Sequence, residues 1–372
     1  MTLHKILYWP HLLCGVLAAV LIIIMSVTGV LLTYERQIIS WAENKYDRPV
    51  QTNEIPIQID DILNMNRESI NGAAIRSIKI SNDIDAPLVV SSKENYYINR
   101  YSGNILGNGP VRLKAFFSEL RSMHRWLSME GENRAVARMF TGAANLMFLF
   151  IVLSGMYLWI PKTLNWRNIK NILFFRKTKS SRARDINWHN VMGIWSAIPL
   201  VVIISTASVF YYSWANNLVY TLAGENPPVR GSSNNIQSQT TVIQNVSFES
   251  MFQNATRQLD NWTTITMSYP KDTDKDVRFS IDTGNGGEPQ KKADLYLSRD
   301  DGKITKWEPF QDYSAGRRAR SLIRFLHTGE ALGVFGQTIA GIVSFVAIIM
   351  VWTGLALAYR KYIRPSLKKR TA

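Results

Sequence analysis

Four long runs of apolar residues divide this chain, and none of them contains a charged side chain. A helix needs about 20 apolar residues to cross the hydrocarbon core of a bilayer, and each run reaches that length. Because backbone polar groups in lipid must be satisfied within their own segment, each run is predicted to be a transmembrane helix. The runs are Leu12–Leu32, Met139–Ile160, Val191–Ala215 and Ala331–Tyr359.

Positive charge is concentrated in two short segments. Residues 161–188 hold eight Lys or Arg against one acid, Asp185, and the tail after Tyr359 holds six with no acid. Short basic loops stay cytoplasmic, so both termini are predicted to lie in the cytoplasm. The formal net charge of +15 therefore reflects membrane topology. Nucleic-acid binding would need a basic face on a soluble domain, and no nucleic-acid partner is expected.

This topology leaves two segments of about 100 residues on the opposite side of the membrane, each long enough for a small domain. In a bacterium that side of the inner membrane is the periplasm. The first run is too long for a typical signal peptide and is predicted to remain as an anchor. The predicted order is first span with its N-terminal segment (1–33), first periplasmic domain (34–138), second span (139–160), cytoplasmic loop (161–188), third span (189–215), second periplasmic domain (216–330), fourth span (331–359) and cytoplasmic tail (360–372).

The two periplasmic segments repeat one another. Each shows a helical stretch and then strand-like runs: Ile59–Glu68 before 75–80, 87–91 and 95–101, and Phe248–Leu259 before 262–269, 277–282 and 294–298. Tyr97–Ile105 and Tyr296–Ile304 align without a gap across a turn. We expect two copies of one small unit. The predicted fold class is an α-helical membrane protein with four transmembrane helices and two small α+β domains.

Four of the five histidines lie near the ends of the predicted spans. His11 and His189 open the first and third spans, while His124 and His327 precede the second and fourth. Two imidazoles on facing helices at the same depth can bind one haem iron from both sides. The sequence therefore predicts a cytoplasmic-side haem held by His11 and His189, and a periplasmic-side haem held by His124 and His327. Two such sites would carry electrons across about 30 Å of hydrocarbon in steps.

The remaining residues limit the type of haem. Cys14 is the only cysteine and lies inside a span, so a thiolate cluster and a C-x-x-C-H attachment motif are both absent from the sequence. Both haems are predicted to be haem b, and Cys14 is predicted to be a small buried apolar side chain. His4 is expected to be a surface residue. A histidine near a membrane interface can also be a simple anchor, and this alternative stays open; His124 is predicted to lie on an interfacial helix near 113–129.

Positive charge also accompanies the second pair of histidines. The arginines there could bind haem propionates, anionic lipid or an anionic ferric chelate; they are Arg121, Arg125, Arg317, Arg318, Arg320 and Arg324. Glu330 is a candidate for orienting the ring of His327. Trp126, Trp352 and Tyr157 either line a haem or belong to the interfacial aromatic belt.

The spans also share small-residue motifs. The first and third begin with His-x-x-x-Gly, ending at Gly15 and Gly193. The second and fourth carry two glycines thirteen residues apart, Gly142 with Gly155 and Gly341 with Gly354; the second of each follows a Ser or Thr, as Gly29 does in the first span. Such residues let helices pack closely, or they make room for a flat macrocycle. Both interpretations stay open.

The order of spans and small domains, together with Met123-His124-Arg125-Trp126-Leu127 and Leu326-His327-Thr328-Gly329-Glu330, resembles the PepSY-associated transmembrane family over essentially the whole chain. Within that family the chain is similar to the FoxB-type inner-membrane ferric-siderophore reductases. This resemblance implies a haem-dependent oxidoreductase that reduces ferric siderophore in the periplasm and releases Fe(II). The electron donor would be another protein or a membrane quinol.

Other classes of function have less support. A P-loop and a G-x-G-x-x-G motif are absent from the sequence, and the spans lack the charged residues that mark ion paths in transporters. The alternative is a haem-free protein that binds or regulates a periplasmic partner such as a peptidase, since PepSY domains resemble the inhibitory segments of secreted peptidases.

Overall fold

The computed structural model describes residues 3–48, 54–66, 70, 75–161, 163, 165–228 and 244–365. The chain forms two compact units, each built from segments that are distant in the sequence. A helical unit takes in the N-terminal segment through Glu35, then Ala115–Leu222, and the C-terminal segment from Leu322. A sheet unit takes in Arg36–Lys114 and Ala223–Ser321.

Helices and strands follow one another in the same order in the two halves of the chain. The helices are α1 (Leu3–Leu32), α2 (Glu35–Glu43), α3 (Ile59–Met65), α4 (Val111–Trp126), α5 (Asn133–Leu158), α6 (Trp166–Leu173), α7 (Ser181–Tyr211), α8 (Ser213–Leu222), α9 (Phe248–Thr256), α10 (Ala315–Thr328) and α11 (Gly333–Ala358). The strands are β1 (Ser77–Ser81), β2 (Leu88–Ser91), β3 (Asn95–Ile98), β4 (Ile105–Gly107), β5 (Thr264–Ser268), β6 (Asp276–Asp282), β7 (Lys292–Ser298) and β8 (Ile304–Pro309).

Among the described residues, four helices are long and apolar enough to cross a membrane: α1, α5, α7 and α11. Each helix matches one predicted span. The first span lies wholly within α1, α5 ends two residues before Ile160, and α11 begins two residues after Ala331 and ends one residue before Tyr359. The largest difference is at the end of the third span. That span is predicted to reach Ala215, but α7 ends at Tyr211 because Tyr212 has an extended backbone, and α8 begins at Ser213. The chain is a multi-pass membrane protein, as predicted.

Small side chains lie where the spanning helices meet. In the helical unit α1 packs against α5 and α11, and α7 packs against the same two helices. Ala18 of α1 and Ala144 of α5 are buried in one cluster, and Ala197 of α7 and Ala347 of α11 are buried in another. Small residues at such contacts let helix backbones approach closely in lipid.

The eight strands of the sheet unit, within the described residues, form one antiparallel sheet in the order β4-β3-β2-β1-β5-β6-β7-β8. The first strand of each repeat lies at the centre, where Ile78 of β1 is opposite Met267 of β5. The sequence predicts two separate α+β domains at 34–138 and 216–330. The structure differs because the β1–β5 pairing joins both repeats in one sheet and one core.

The internal repeat is confirmed in the strand register. Ile98 of β3 is opposite Ile105, and Leu297 of β7 is opposite Ile304. In each repeat the register shifts at the same place, directly after Tyr97 and directly after Tyr296. The gapless alignment of the two stretches therefore corresponds to the same irregular hairpin, which is the kind of local feature that a repeat preserves.

The helices α3 and α9 of the sheet unit cap one another. The Asp60 carboxylate accepts hydrogen bonds from the backbone N–H groups of Phe248 and Glu249, at 3.1 and 2.9 Å. Glu249 in turn accepts one from the backbone N–H of Ile59 at 3.1 Å. An acidic side chain at a helix N-terminus satisfies backbone donors that have no partner within the helix. This exchange is a second link between the repeats.

The basic loop between α5 and α7 contains the helix α6, which the sequence does not predict. The Asn165 side chain accepts a hydrogen bond from the backbone N–H of Asn168 and caps α6. Trp195 of α7 donates its indole N–H to the carbonyl of Leu173 at 2.9 Å, so the loop folds back along α7. Some predicted features lie outside the described residues; they are Lys162 of the loop, Lys368, Lys369 and Arg370 of the tail, and Arg67 and Glu68 after the end of α3.

Candidate functional site

The four predicted haem ligands all lie in the helical unit. His11 lies in the first part of α1, and His189 in the first part of α7. His124 lies near the end of α4 and His327 near the end of α10, the two helices that come before the spans α5 and α11. We refer to His11 and His189 as the first pair, and to His124 and His327 as the second pair.

Each ring of the first pair contacts a hydroxyl group on a neighbouring span. Nδ1 of His11 lies 2.9 Å from Oγ of Ser154 in α5. Nδ1 of His189 lies 3.0 Å from Oγ1 of Thr353 in α11. The two rings also interact electrostatically with each other, so α1 and α7 bring them to the same end of the helical unit.

The second pair is held by the other ends of α1 and α7. Nδ1 of His124 lies 2.8 Å from Oγ1 of Thr28 in α1. Nδ1 of His327 lies 2.9 Å from the carbonyl oxygen of Ile203 and 3.4 Å from Oγ1 of Thr206, both in α7. The centroids of the two imidazole rings are 6.3 Å apart, with an angle of 58° between the ring planes.

This spacing suits two imidazoles that bind one metal ion from opposite sides. A metal–imidazole bond is about 2.0 Å long and the bound nitrogen lies about 1.1 Å from the ring centroid, so collinear bonds separate the centroids by about 6.2 Å. The observed separation of His124 and His327 is 6.3 Å. The centroid separation of His124 and His327 is therefore compatible with two imidazoles that would hold one metal ion between them.

The protonation state of the second pair agrees with this role. Burial lowers the pKa of His124 to about 4, and the charge of His327 adds to that effect. Burial also lowers the pKa of His327. Both rings are therefore neutral at neutral pH, which is the form of imidazole that binds a metal. Two facing imidazoles are a donor set that haem iron takes from proteins. Among the described residues, no three His, Cys, Asp or Glu side chains converge as a metal site.

The two pairs are separated by the same length of helix on both sides. Thr28 follows His11 by seventeen residues in α1, and Thr206 follows His189 by seventeen residues in α7. At about 1.5 Å per residue, each helix carries its two histidine contacts about 25 Å apart. The two pairs therefore lie toward opposite ends of α1 and α7, and this separation approaches the thickness of about 30 Å of a hydrocarbon core.

Three glycines that follow a Ser or Thr lie directly against a histidine ring. A Cβ atom added to Gly155 would lie 3.4 Å from Cε1 of His11, and one added to Gly354 would lie 3.4 Å from Cε1 of His189. A Cβ added to Gly29 would lie 3.7 Å from Cε1 of His124. These glycines therefore let three imidazole rings approach the backbone of a neighbouring span.

The first glycine of each pair in the second and fourth spans lies against a side chain other than histidine. A Cβ on Gly142 would lie 2.9 Å from the hydroxyl of Tyr212, and a Cβ on Gly341 would lie 3.0 Å from Oγ1 of Thr33. Both positions allow close packing between helices. Gly142 and Gly341 therefore fit the helix-packing interpretation, whereas Gly155, Gly354 and Gly29 lie beside the histidines.

The shared His-x-x-x-Gly motif has a different use in each copy. In α7, Gly193 makes room for the indole ring of Trp159, which occupies the space that a Cβ would need. In α1, apart from the adjoining residues and backbone of the same helix, no atom of the described residues lies within 4 Å of the place where a Cβ on Gly15 would be. Gly15 follows His11 by one helical turn and so lies on the same face of α1.

Arginines converge beside the second pair. Arg121 lies three residues before His124, and Arg324 three residues before His327. Burial lowers the pKa of Arg121, and the charges of Arg125 and Arg324 lower it further, so these three guanidinium groups lie close to one another. Arg121 also forms an ion pair with Glu35. This cluster is suited to an anion with more than one negative group.

The remaining predicted arginines belong to the sheet unit. Arg317, Arg318 and Arg320 precede Leu322, where the chain enters the helical unit. Arg317 pairs with Glu308 at 2.7 Å, and its guanidinium lies 3.6 Å from the centroid of the Tyr313 ring.

Several other predicted residues have ordinary roles. Glu330 does not orient His327, because the imidazole Nδ1 faces the Ile203 carbonyl and Thr206; Glu330 accepts a hydrogen bond from Thr328. Trp352 is 68% exposed, as expected for the aromatic belt, and His4 is exposed near the start of α1. Trp126 stacks with Arg125 and Arg134. Cys14 is only partly buried.

Asp185 forms a buried ion pair that the sequence analysis did not predict. In the sequence it is only the single acid of a basic loop. It is 1% exposed and accepts hydrogen bonds from Arg184 at 2.9 and 3.0 Å and from Arg360 at 2.5 Å. In the sequence, the signal for its importance is a single carboxylate at the end of a strongly basic loop, one helical turn before His189. The contact ties the start of α7 to the segment after α11.

The model of one protein family, described as the PepSY-associated TM region, matches residues 8–361. The matched stretch contains both histidine pairs, all four spans and both repeats of the sheet unit. No curated protein matches the chain.

Proposed function

The chain belongs to the PepSY-associated TM region family, and on this premise we propose that it is an inner-membrane dihaem b reductase of the FoxB type. Each histidine pair would hold one haem, and electrons would cross the membrane between the pairs to reduce a ferric siderophore in the periplasm. The observation that carries this proposal is the 6.3 Å spacing of the imidazole centroids of His124 and His327.

The roles of the four histidines follow from their placement. His11 and His189 would hold one haem iron from both sides, and His124 and His327 would hold the other. A haem bound in this way supplies reversible one-electron transfer and has no open position for oxygen. The protein itself holds the four rings in place, keeps the two sites about 25 Å apart along the helices, and surrounds them with apolar spans.

The proposed orientation rests on the charge of the connecting segments. The loop between α5 and α7 and the segment after α11 are the basic parts of the chain, and both adjoin the helix ends that carry the first pair. By the positive-inside rule those ends face the cytoplasm. The second pair then lies near the periplasm, where the sheet unit would also be, since its segments connect α1 to α5 and α7 to α11.

Electrons would enter at the first pair and leave at the second. The donor would be a cytoplasmic protein or a membrane quinol. Arg121, Arg125 and Arg324 concentrate positive charge beside the second pair, which favours haem propionates and also an anionic ferric chelate. Hard oxygen ligands hold Fe(II) less tightly than Fe(III), so the transfer of one electron would also release the iron.

An optical spectrum of the purified full-length protein tests the proposal. Protein from haem-replete cells should contain two haem b per chain and should show a sharp Soret band with split α and β bands after reduction. A colourless preparation would contradict the proposal. It would favour instead a haem-free membrane protein that binds or regulates a periplasmic partner such as a peptidase.

A second measurement tests the direction of the chemistry. The reduced protein is mixed with a ferric trihydroxamate chelate, and a chelator specific for Fe(II) traps the released iron. We expect the haem bands to return to the oxidised form as trapped Fe(II) accumulates. The iron-free hydroxamate is the control and should leave the reduced spectrum unchanged.

A further inference from the structure

Each of the four histidine rings lies against a hydroxyl group whose own proton already has an acceptor. Oγ of Ser154 donates to the carbonyl of Phe150 at 2.6 Å, and Oγ1 of Thr353 donates to that of Ile349 at 3.0 Å. A hydroxyl carries one hydrogen and two lone pairs. Since the hydrogen is used within the helix, a lone pair faces the histidine.

The second pair shows the same arrangement. Oγ1 of Thr28 donates to the carbonyl of Ile24 at 2.7 Å, and Oγ1 of Thr206 donates to that of Val202 at 2.7 Å. This back-bonding to the carbonyl four residues earlier is usual for Ser and Thr inside helices. All four hydroxyl groups can therefore only accept a hydrogen bond from the ring nitrogen Nδ1 that faces them.

Backbone carbonyl groups support the same direction of hydrogen bonding, with the imidazole as donor. Nδ1 of His327 lies 2.9 Å from the carbonyl oxygen of Ile203, and a carbonyl oxygen has no hydrogen to donate. Ile203 precedes Thr206 by three residues. A carbonyl three residues before the hydroxyl residue lies beside each of the other rings as well; these carbonyls belong to Ile151, Met25 and Met350. Within the described part of the chain, the hydroxyl oxygen that each Nδ1 contacts therefore acts as an acceptor, and for His327 the Ile203 carbonyl does so as well.

We propose that Ser154, Thr353, Thr28 and Thr206 are positioning residues that hold the histidine rings in the Nδ1–H tautomer and leave Nε2 as the metal-binding atom. The metal would be the haem iron, so the metal-binding role of Nε2 rests on the proposed function. The tautomer itself depends only on the contacts of the protein. A ligand that donates its second N–H to an acceptor is more basic, which favours the oxidised metal.

Helix packing alone would not produce this pattern. Ser196 of α7 is also buried and donates to its own helix, to the carbonyl of Met192 at 2.7 Å, but its oxygen lies 3.6 Å from Sδ of Met350. It shows what a span hydroxyl does without a histidine beside it. Ser196→Ala is therefore a matched control for substitution of the four positioning residues.

The first test uses the haem-free full-length chain with ¹⁵N-labelled histidine. Ring-nitrogen NMR distinguishes the two neutral tautomers directly. We expect the four rings of the two pairs to carry the proton on Nδ1. Thr353→Val should move His189 toward the Nε2–H form, while Thr353→Ser should keep the original signal. An Nε2–H signal for these rings in the unmodified chain would overturn the proposal.

The second test uses the haem-loaded protein. Thr353→Val should weaken haem binding at the first pair by about 10-fold to 100-fold and raise the reduction potential of that site. Thr353→Ser and Ser196→Ala should retain the affinity and the potential of the unmodified protein. Identical potentials for Thr353→Val and Thr353→Ser would overturn the proposal. If the unmodified chain takes up no haem, the proposed function fails, and the NMR test still decides the tautomers.

Discussion

The imidazole ring of His327 faces that of His124 across 6.3 Å, although the two residues lie on helices that precede different spans. Neither helix is itself long enough to be a span, and both rings are held by spans from elsewhere in the chain, through Thr28 of α1 and Ile203 of α7. The second pair therefore depends on the packing of the whole helical unit.

Loss of one histidine should remove one haem and leave the other. His327→Ala and His189→Ala should each bind one haem per chain, because in the proposed function each pair would hold one haem iron. The haem-to-protein ratio and the optical spectrum measure this. His4→Ala, at the exposed start of α1, is the control and should retain two haems. Two haems in both pair variants would mean that these histidines are not the ligands.

A larger side chain at Gly15 should affect haem binding without affecting the protein fold. Among the residues that the structure describes, nothing beyond the adjoining part of α1 lies within 4 Å of the Cβ position of Gly15, so Gly15→Leu should leave the melting temperature of the haem-free chain unchanged. In the proposed function the leucine would enter the space beside the first pair, and the haem content should fall to one. Val16→Leu, at a position that is 47% exposed, should retain two. Normal haem content in Gly15→Leu would place the haem away from this face of α1.

Removal of the buried carboxylate of Asp185 should destabilise the helical unit. Asp185→Asn keeps the shape of the side chain but leaves Arg360 and Arg184 without an anionic partner. Loss of one member of a buried ion pair costs about 3–5 kcal/mol, and the partial exposure of both arginines reduces the expected loss to about 2–3 kcal/mol. Thermal unfolding in detergent measures the change. Asp301→Asn, which breaks an exposed pair with Lys303, should show no measurable effect, and equal shifts would refute the expectation.

Tyr97 should make the sheet unit sensitive to alkali. Burial raises the pKa of Tyr97 above its usual value of 10.0, and its hydrogen bond to Glu43 raises it further. Because the folded-state pKa is raised, the contribution of Tyr97 to stability is present below pH 10 and is lost as the pH rises above it. The loss is up to about 1.4 kcal/mol per pH unit.

Tyr97→Phe should therefore flatten the fall in stability between about pH 9 and about pH 11. Chemical unfolding of the full-length chain at a series of pH values measures the slope. Tyr296→Phe, at the equivalent position of the second repeat where the side chain is partly exposed, should keep the slope of the unmodified protein. Parallel slopes for Tyr97→Phe and the unmodified protein would contradict the expectation.

Local sequence patterns were sufficient to predict much of the fold. The four spans follow from runs without charge, and the repeat follows from the matched stretches around Tyr97 and Tyr296, whose equivalent register shifts confirm it. The grouping of the histidines at two ends of the spans also needs only the spans and their order. The end of α7 at Tyr211 was missed because the apolar run continues past it.

Long-range contacts account for what the sequence did not predict. The pairing of β1 with β5 joins strands from different halves of the chain, and nothing in either strand specifies its partner. Similarly, Thr206 is one of many hydroxyl residues in the spans, and only the packing of α10 on α7 places it beside His327. Asp185 stands next to Arg184 in the sequence, but its contact with Arg360 depends on the fold.

The central β1–β5 pairing also affects how the protein is made on the ribosome. Residues Ser77–Ser81 are synthesised before α5 and α7, and their partner Thr264–Ser268 is synthesised after both. Until then the edge of β1 exposes backbone donors and acceptors without partners, and such an edge invites pairing with other chains. The nascent protein must therefore insert α5 and α7 into the membrane before strands β5–β8, the second half of its sheet, have been synthesised. Translation products that stop before Ser268 would be left with an aggregation-prone edge.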